Sequence, residues 1–145
     1  MSTEQHFRAL ESMYQAAPIN SIYKPVMTVS NSEARIEIDI TEQLFHSARA
    51  VHGSVYFKML DDAAFFAANS LETDCFVLTS SFTTYLTRPV SEGKLIAVGK
   101  VVSRNKSQFI ADSVVYDSKG NEIGRGNGIF VRSKMPLVDA MGYAD

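Results

Sequence analysis

Residues 51–71 read VHGSVYFKMLDDAAFFAANSL, and this stretch determines the fold. Within residues 55–68 the only charged side chains are Lys58, Asp61 and Asp62. A helix that is apolar nearly all round is expected to be buried nearly all round, and its repeated alanines would let a sheet wrap closely around it. The stretch is too short and too charged to span a bilayer. It therefore predicts a long central helix inside a compact domain.

Strand patterns surround this helix on both sides. Before it, alternating apolar and polar residues over 26–40 predict two strands joined at Asn31-Ser32. After it, turn residues separate four further segments. These predicted strands are 75–86, 94–103, 108–117 and 122–132. We expect the four to form an antiparallel meander, with the earlier strands completing an α+β fold.

The chain as a whole fits one domain. It has 145 residues, 46% of them apolar, which is enough for a single core. A short amphipathic helix is predicted at 3–16, where Ser2 and Gln5 have the form of a capping box. We expect a core over roughly 25–132, a tail at 133–145, and a single domain spanning 1–145.

Composition excludes several classes of protein. A formal net charge of −2 gives no basic stripe for nucleic acid. The one cysteine, Cys75, has no partner for an internal disulfide, which favours a reducing compartment. The first residues lack the apolar run of a signal peptide or membrane anchor. We expect a cytoplasmic protein without membrane or nucleic-acid partners.

Two adjacent carboxylates stand in the most apolar helix. Burying an ionised carboxylate without partners is costly, so at least one is expected to reach water or to perform a task. Lys58 lies four residues before Asp62, which favours a surface ion pair for Asp62. Asp61 lies three residues from the same lysine, so periodicity leaves the two acids nearly tied.

The helix begins at His52-Gly53-Ser54. A glycine there leaves backbone amides exposed at the positive end of the helix dipole, where a developing oxyanion could bind. The alternative is an ordinary helix start capped by Ser54 or Gly53. For His52, a hydrogen bond to the backbone is favoured over a direct catalytic role.

Residues 52–70, HGSVYFKMLDDAAFFAANS, resemble the signature of PaaI-type hotdog thioesterases, in which a His-Gly-Gly precedes a helix whose catalytic Asp follows the His by nine positions. Asp61 has that offset from His52, and Asp62 does not. The resemblance continues through TSSFTTYLTRP at 79–89 and GNEIGRGNGIFV at 120–131. It implies a hotdog fold, an antiparallel sheet wrapped around a long central helix.

The resemblance also implies roles for particular residues. Gly53 would supply the oxyanion-hole amide, and Asp61 would be the general base or nucleophile. Thr79 would position the water or the carboxylate, and His46 stands where many relatives have an Asn that contacts the thioester. This chain departs from the family at His46 and at Ser54, which replaces the second glycine. The imidazole of His46 could introduce a step in the pH dependence of kcat/KM near the usual histidine pKa of about 6.5.

Partners follow from the same resemblance. The substrate would be an acyl-CoA, with no cofactor beyond its coenzyme A, and the active form a homodimer that often pairs into tetramers. His52 and Ser54 would lie beside the substrate. Candidate cations for the coenzyme A phosphates, at strand ends or loops, are Arg88, Arg104, Lys106 and Arg132. The three histidines lack zinc-site spacing, so no metal is predicted.

The expected function is therefore hydrolysis of an acyl thioester to acid and thiol. A thiolate is a good leaving group because a thiol has a pKa of roughly 8.5, so no strong general acid is needed. Two alternatives stay open: an acyl-CoA-binding protein without activity, and a hydratase or dehydratase using His46 with Asp61. The acyl group itself is not predicted.

Overall fold

The computed structural model describes residues 1–144 as three α-helices, six strands and two short 3₁₀ helices, Glu42–Leu44 and Leu137–Asp139. The helices are α1 (Thr3–Ala16), α2 (Asn20–Tyr23) and α3 (Gly53–Asn69). The strands are β1 (Val26–Ser30), β2 (Glu33–Asp39), β3 (Cys75–Leu86), β4 (Lys94–Arg104), β5 (Gln108–Tyr116) and β6 (Glu122–Pro136). Each lies where alternation and turn residues predict a strand, with ends shifted by a few residues at most.

The six strands form one antiparallel sheet in the order β1-β2-β4-β5-β6-β3. The prediction of a four-strand meander is wrong in one respect. β4, β5 and β6 are joined by hairpins. β3 pairs with β6 at the far edge of the sheet and is not hydrogen-bonded to β4. Alternation identifies a strand but does not specify its neighbours. The segment between β3 and β4 therefore crosses the end of the sheet, and β3 becomes an edge strand.

One side of α3 is packed against the concave face of this sheet. Leu60, Ala63 and Ala67 on the helix are fully buried. The backbone of β4 comes so close at Gly99 that a Cβ there would overlap the helix backbone at Ala63. Small residues on both elements therefore allow the close approach that the alanine-rich sequence predicts.

The N-terminal helix packs on the sheet beside α3 and is tied to the chain's other end. Ser2 and Gln5 form the capping box that their spacing predicts. Buried His6 joins two distant elements: its Nδ1 is 2.7 Å from the Tyr143 hydroxyl, and its Nε2 is 2.9 Å from the Asn69 carbonyl oxygen. Residues after 132 are thus not merely a tail, because β6 continues to Pro136.

The other side of α3 differs from the expectation of burial all round. Gly53, Phe57 and Asp61 recur every four residues and share one face of the helix, which we call the Gly53–Phe57–Asp61 face. Phe57 is 42% exposed, an unusual value for a large apolar side chain in a central helix. In residues 1–144, no helix has the length and apolar character needed to cross a membrane.

Candidate active site

The Gly53–Phe57–Asp61 face runs alongside edge strand β3. The Phe57 and Phe82 rings meet edge to face, with centroids 5.6 Å apart. At one end of the face Thr79 reaches Asp61, and at the other a Cβ on Gly53 would lie 2.9 Å from Leu86 Cδ1. Helix and strand together thus present one strip of surface with the candidate catalytic residues at its two ends.

Asp61 is held by a single side-chain hydrogen bond. The Thr79 hydroxyl donates to Asp61 Oδ1 over 2.9 Å. Burial raises the pKa of Asp61 to about 6; the Thr79 hydrogen bond lowers it, the charge of Asp62 raises it and that of Lys58 lowers it. A carboxyl with a pKa near 6 is still mostly ionised at neutral pH and is a stronger base than an ordinary aspartate.

Asp62 has a different environment one residue further along. Its Oδ2 lies 2.6 Å from the Lys58 ammonium, and the Tyr14 hydroxyl donates to the same oxygen over 2.6 Å. The ion pair with Lys58 is the one that the four-residue spacing favours. The charge of Asp62 is therefore paired with a cation within the chain, whereas Asp61 forms no ion pair among residues 1–144 and receives a hydrogen bond from Thr79.

A pocket of about 310 Å³ opens beside both carboxylates. Its polar rim includes Asp61, Asp62, Lys58 and Thr79. The remaining walls are mostly apolar and come from α1 and the segment after it, from the C-terminal half of α3, and from β3: Met13, Tyr14, Ala17, Ile19, Asn20, Phe65, Phe66, Phe76 and Leu78. The pocket is thus an apolar chamber with an ionisable carboxyl at its edge.

Sequence reasoning missed the part of this wall that precedes residue 25. Met13, Ala17 and Ile19 come from the end of α1 and the turn to α2. The signal for them in the sequence is Ile19, an apolar residue between Pro18 and Asn20 in the turn that follows α1. Phe66 belongs to the core and Phe65 packs against it, and both side chains also line the pocket.

The start of α3 carries a free donor. His52 is the N-cap residue, and its Nδ1 accepts from the Ser54 backbone N–H over 3.0 Å. The same nitrogen is 2.8 Å from the Ser54 hydroxyl. Among residues 1–144, no acceptor is found for the Gly53 backbone N–H. The helix dipole favours an anion there, so Gly53 can donate to a developing oxyanion.

His46 lies at this end of α3 and not beside Asp61. Its ring centroid is 6.5 Å from that of His52, and its Nδ1 accepts from the Ala48 backbone N–H over 3.0 Å. Asp61 is two helical turns away from Gly53, or about 12 Å at 1.5 Å per residue. Within one chain, the His46–Asp61 pair that a hydratase would need is therefore not formed.

The candidate phosphate-binding cations lie at two opposite ends of the sheet. Arg88 follows the end of β3, beyond Leu86, which contacts the Gly53 end of the helix. Arg104 ends β4 and Lys106 lies in the β4–β5 turn, at the opposite end of the sheet. Arg132 is engaged by Glu72, 2.7 Å away, and by two backbone carbonyls. The four do not form one cluster within a chain.

Comparison with known proteins identifies the family. A profile of the thioesterase superfamily matches residues 49–123, more than half of the chain. The protein belongs to this superfamily. The matched region contains Gly53, Asp61 and Thr79, but it excludes the N-terminal wall of the pocket.

Solved structures show the same fold. The structure of Escherichia coli PaaI, from the phenylacetic acid degradation operon, superposes with a TM-score of 0.84 at 18% identity, covering 92% of this chain and 97% of that one. A thioesterase family protein from Silicibacter pomeroyi gives 0.78 at 20% identity, covering 90% and 97%. The fold is therefore the hotdog fold that the resemblance implies.

A relative is also found among curated sequences. A candidate esterase of Saccharolobus solfataricus is 24% identical over 98 residues, which cover 68% of this chain. The match spans 65% of the length of that relative.

Proposed function

We propose that the protein hydrolyses an acyl-CoA, or a related acyl thioester, to the free acid and the thiol. The observation that carries the proposal is Asp61, a carboxyl with a pKa of about 6 that Thr79 orients at the edge of an apolar pocket. The pocket would hold the acyl group. A thiol ester buried there would present its carbonyl carbon to the carboxylate or to a water beside it.

The chemistry requires two groups from the protein. Asp61 either takes a proton from the attacking water or attacks the carbonyl carbon itself, forming a mixed anhydride that water then cleaves. The carbonyl oxygen becomes negatively charged in either case, and the Gly53 N–H would stabilise it. The carbon–sulfur bond then breaks, and the thiolate leaves with the electron pair.

The two groups must come from two chains. An oxyanion donor lies within about 3 Å of the developing charge, and a base reaches the same carbon through at most one water. The separation of about 12 Å along α3 is too long for one carbonyl to meet both. Two α3 helices packed antiparallel around a two-fold axis would bring Gly53 of each chain to Asp61 of the other. The proposal therefore requires a homodimer.

The surface of the chain supports such a dimer. Phe57 and Leu86 are 42% and 50% exposed and lie along the same strip of α3 and β3, and Leu78, which lines the pocket, is 49% exposed. Apolar patches of this kind mark interaction surfaces in soluble proteins. The free edge of β3 offers backbone hydrogen bonds beside them. A second copy would cover both the apolar strip and the catalytic residues.

A thiol-release assay across a panel of acyl-CoAs tests the proposal. The panel should include short, medium and aryl acyl groups, together with one acyl-CoA that has a double bond next to the carbonyl. We expect free coenzyme A and free acid in equal amounts from at least one member. Binding without thiol release throughout the panel would favour the acyl-CoA-binding alternative, and addition of water to an unsaturated acyl-CoA without thiol release would favour a hydratase.

A further inference from the structure

An ion pair and two tyrosines surround Asp62, beside Asp61. Lys58 and Tyr14 both contact Asp62 Oδ2 at 2.6 Å. The Lys58 ammonium also lies over two aromatic rings, 5.3 Å from the centroid of Tyr14 and 5.1 Å from that of Tyr23. We call Lys58, Asp62, Tyr14 and Tyr23 the Lys58 cluster. Its members come from α1, α2 and α3.

The contacts in this cluster exceed what a surface ion pair needs. The Lys58 and Asp62 side chains are only 14% and 19% exposed, and Tyr14 is 4% exposed. Removing two charged side chains from water costs free energy unless their geometry is favourable and further hydrogen bonds are formed. The Lys58–Asp62 ion pair is thus held in place by a hydrogen bond from Tyr14 and by the rings of Tyr14 and Tyr23, more contacts than an exposed ion pair has.

We propose that Lys58 and Asp62 are positioning residues that set the ionisation of Asp61 and thereby the pH range in which the enzyme works. This inference rests on the proposed function of Asp61 as base or nucleophile. Neither residue needs to touch the substrate, because each acts on Asp61 through its charge.

The charged and titratable groups near Asp61 come from few elements. From α1 there is Tyr14, and from α2 Tyr23, which reaches the site through Lys58. From α3 there are Lys58 and Asp62, and β3 contributes the neutral Thr79. Burial and the charge of Asp62 raise the pKa of Tyr14 far above its ordinary value, so its hydroxyl stays protonated and remains a donor.

The two charges act on Asp61 in opposite directions. The anion of Asp62 raises the pKa of Asp61, and the cation of Lys58 lowers it. Because they form a pair, their effects partly cancel, and burial remains the largest cause of the raised pKa. Removing one partner leaves the charge of the other uncompensated.

Substitution of each partner should therefore shift the titration of Asp61 in opposite directions. Lys58→Met keeps the apolar stem between the tyrosines but leaves the Asp62 anion, so Asp61 should titrate at higher pH. Asp62→Asn leaves the Lys58 cation, so Asp61 should titrate at lower pH. We expect each shift to be roughly half to one pH unit, as for neighbouring charges in partly solvated sites. The double variant should return towards wild type.

The experiment follows the titration of Asp61 directly, by NMR of protein labelled with ¹³C at aspartate carboxyls, alongside the pH profile of kcat/KM. Asp61→Asn assigns the signal. Lys58→Arg should keep both profiles near wild type, since it keeps the charge. Lys119→Met makes the same chemical change on an exposed turn and serves as the matched control. If Lys58→Met does not fold, Lys58→Gln and Asp62→Asn provide the same comparison.

Opposite shifts in the Asp61 signal support the proposal, and shifts of the same sign, or none, overturn it. The NMR titration needs no turnover, so failure of this inference is distinguishable from failure of the proposed function. If Asp61 titrates as expected but no acyl-CoA is hydrolysed, only the proposed function fails. If hydrolysis occurs but Lys58→Met and Asp62→Asn both keep the wild-type pH profile of kcat/KM, the positioning role is wrong.

Discussion

The two sides of helix α3 differ in how far the chain itself covers them. The side facing the sheet is completed within the chain, with Ala63 and its neighbours so close to β4 that Gly99 has no room for a side chain. The Gly53–Phe57–Asp61 face leaves an apolar ring exposed, a backbone N–H free and a carboxyl with a raised pKa. The first side holds the fold together; the second has unsatisfied groups in the positions where chemistry would use them.

The largest effect is expected on the second side. Asp61→Asn removes the base while keeping size and the Thr79 contact, so kcat should fall by about 10²–10⁴-fold. Asp62→Asn is the matched control and should stay within about threefold at pH 8, where Asp61 is ionised in either protein. Thiol release under saturating substrate measures both. Damage from Asp62→Asn with near-full activity in Asp61→Asn would reverse the assignment.

The packed side should respond in stability instead of activity. Gly99→Ala places a methyl against the backbone of α3, and overpacking of this kind costs about 1–3 kcal/mol in the free energy of unfolding. Urea unfolding at fixed protein concentration measures the loss. Phe57→Ala, on the other side, is the comparison and should weaken self-association more than it weakens the folded chain. Equal stability in Gly99→Ala would mean that the two sides are not distinguished by packing.

A smaller effect links Asp61 to stability. Its folded pKa of about 6 exceeds that of the unfolded chain, so the folded state holds the proton more tightly. The contribution of Asp61 to the free energy of unfolding should therefore fall as the pH rises from about 4 to 6 and stay level above pH 6. Asp61→Asn should remove this cost and raise the free energy of unfolding at pH 7 by about 1 kcal/mol, after allowance for solvent screening. Unfolding curves at pH 4.5 and pH 7 test the sign, since a variant less stable at pH 7 would contradict it.

The smallest effect is expected at His46. In the proposed dimer His46, at the Gly53 end of α3, would lie near the partner's Asp61. Because asparagine keeps a hydrogen-bonding side chain there, His46→Asn should change kcat by less than about threefold. Any step in the kcat/KM profile that arises from its imidazole should disappear. The limb near pH 6 from Asp61 should remain. If the variant loses that limb as well, His46 and Asp61 titrate as a coupled pair across the two chains.

Much of the fold was predictable because its signals are local. Alternation marks β1 and β2, turn residues separate the four later strands, and the apolar run at 55–68 marks α3. The order of strands was not predictable in this way, because the pairing of β3 with β6 depends on contacts between distant segments. The exposed Phe57 was missed for a related reason: an apolar helix face does not say whether its own chain or another covers it.

The choice between Asp61 and Asp62 shows which part of the candidate site could not be predicted from helix spacing. Both acids are within one helical turn of Lys58, so spacing on the helix could not separate them. The resemblance selected Asp61 by its offset from His52. In the structure the physical distinction comes from Tyr14, which lies 48 residues away in sequence and donates to Asp62. Only the folded arrangement of α1 on α3 makes that contact.

The most direct test of the shared site is activity restored by mixing two inactive variants. Asp61→Asn removes the proposed base, and Gly53→Pro removes the proposed oxyanion donor at the first position of α3, where helices tolerate proline. The extended backbone of the preceding His52 suits a following proline. Each variant alone should be nearly inactive.

After the two variants are mixed and refolded together, about half the dimers should be mixed, and each should contain one site built from an intact Gly53 and an intact Asp61. We expect recovery of about one quarter of wild-type thiol release. Subunit exchange should be verified by mass spectrometry with one variant isotopically labelled. Demonstrated exchange without recovery would mean that each site is built within a single chain, and would contradict a site shared between two chains.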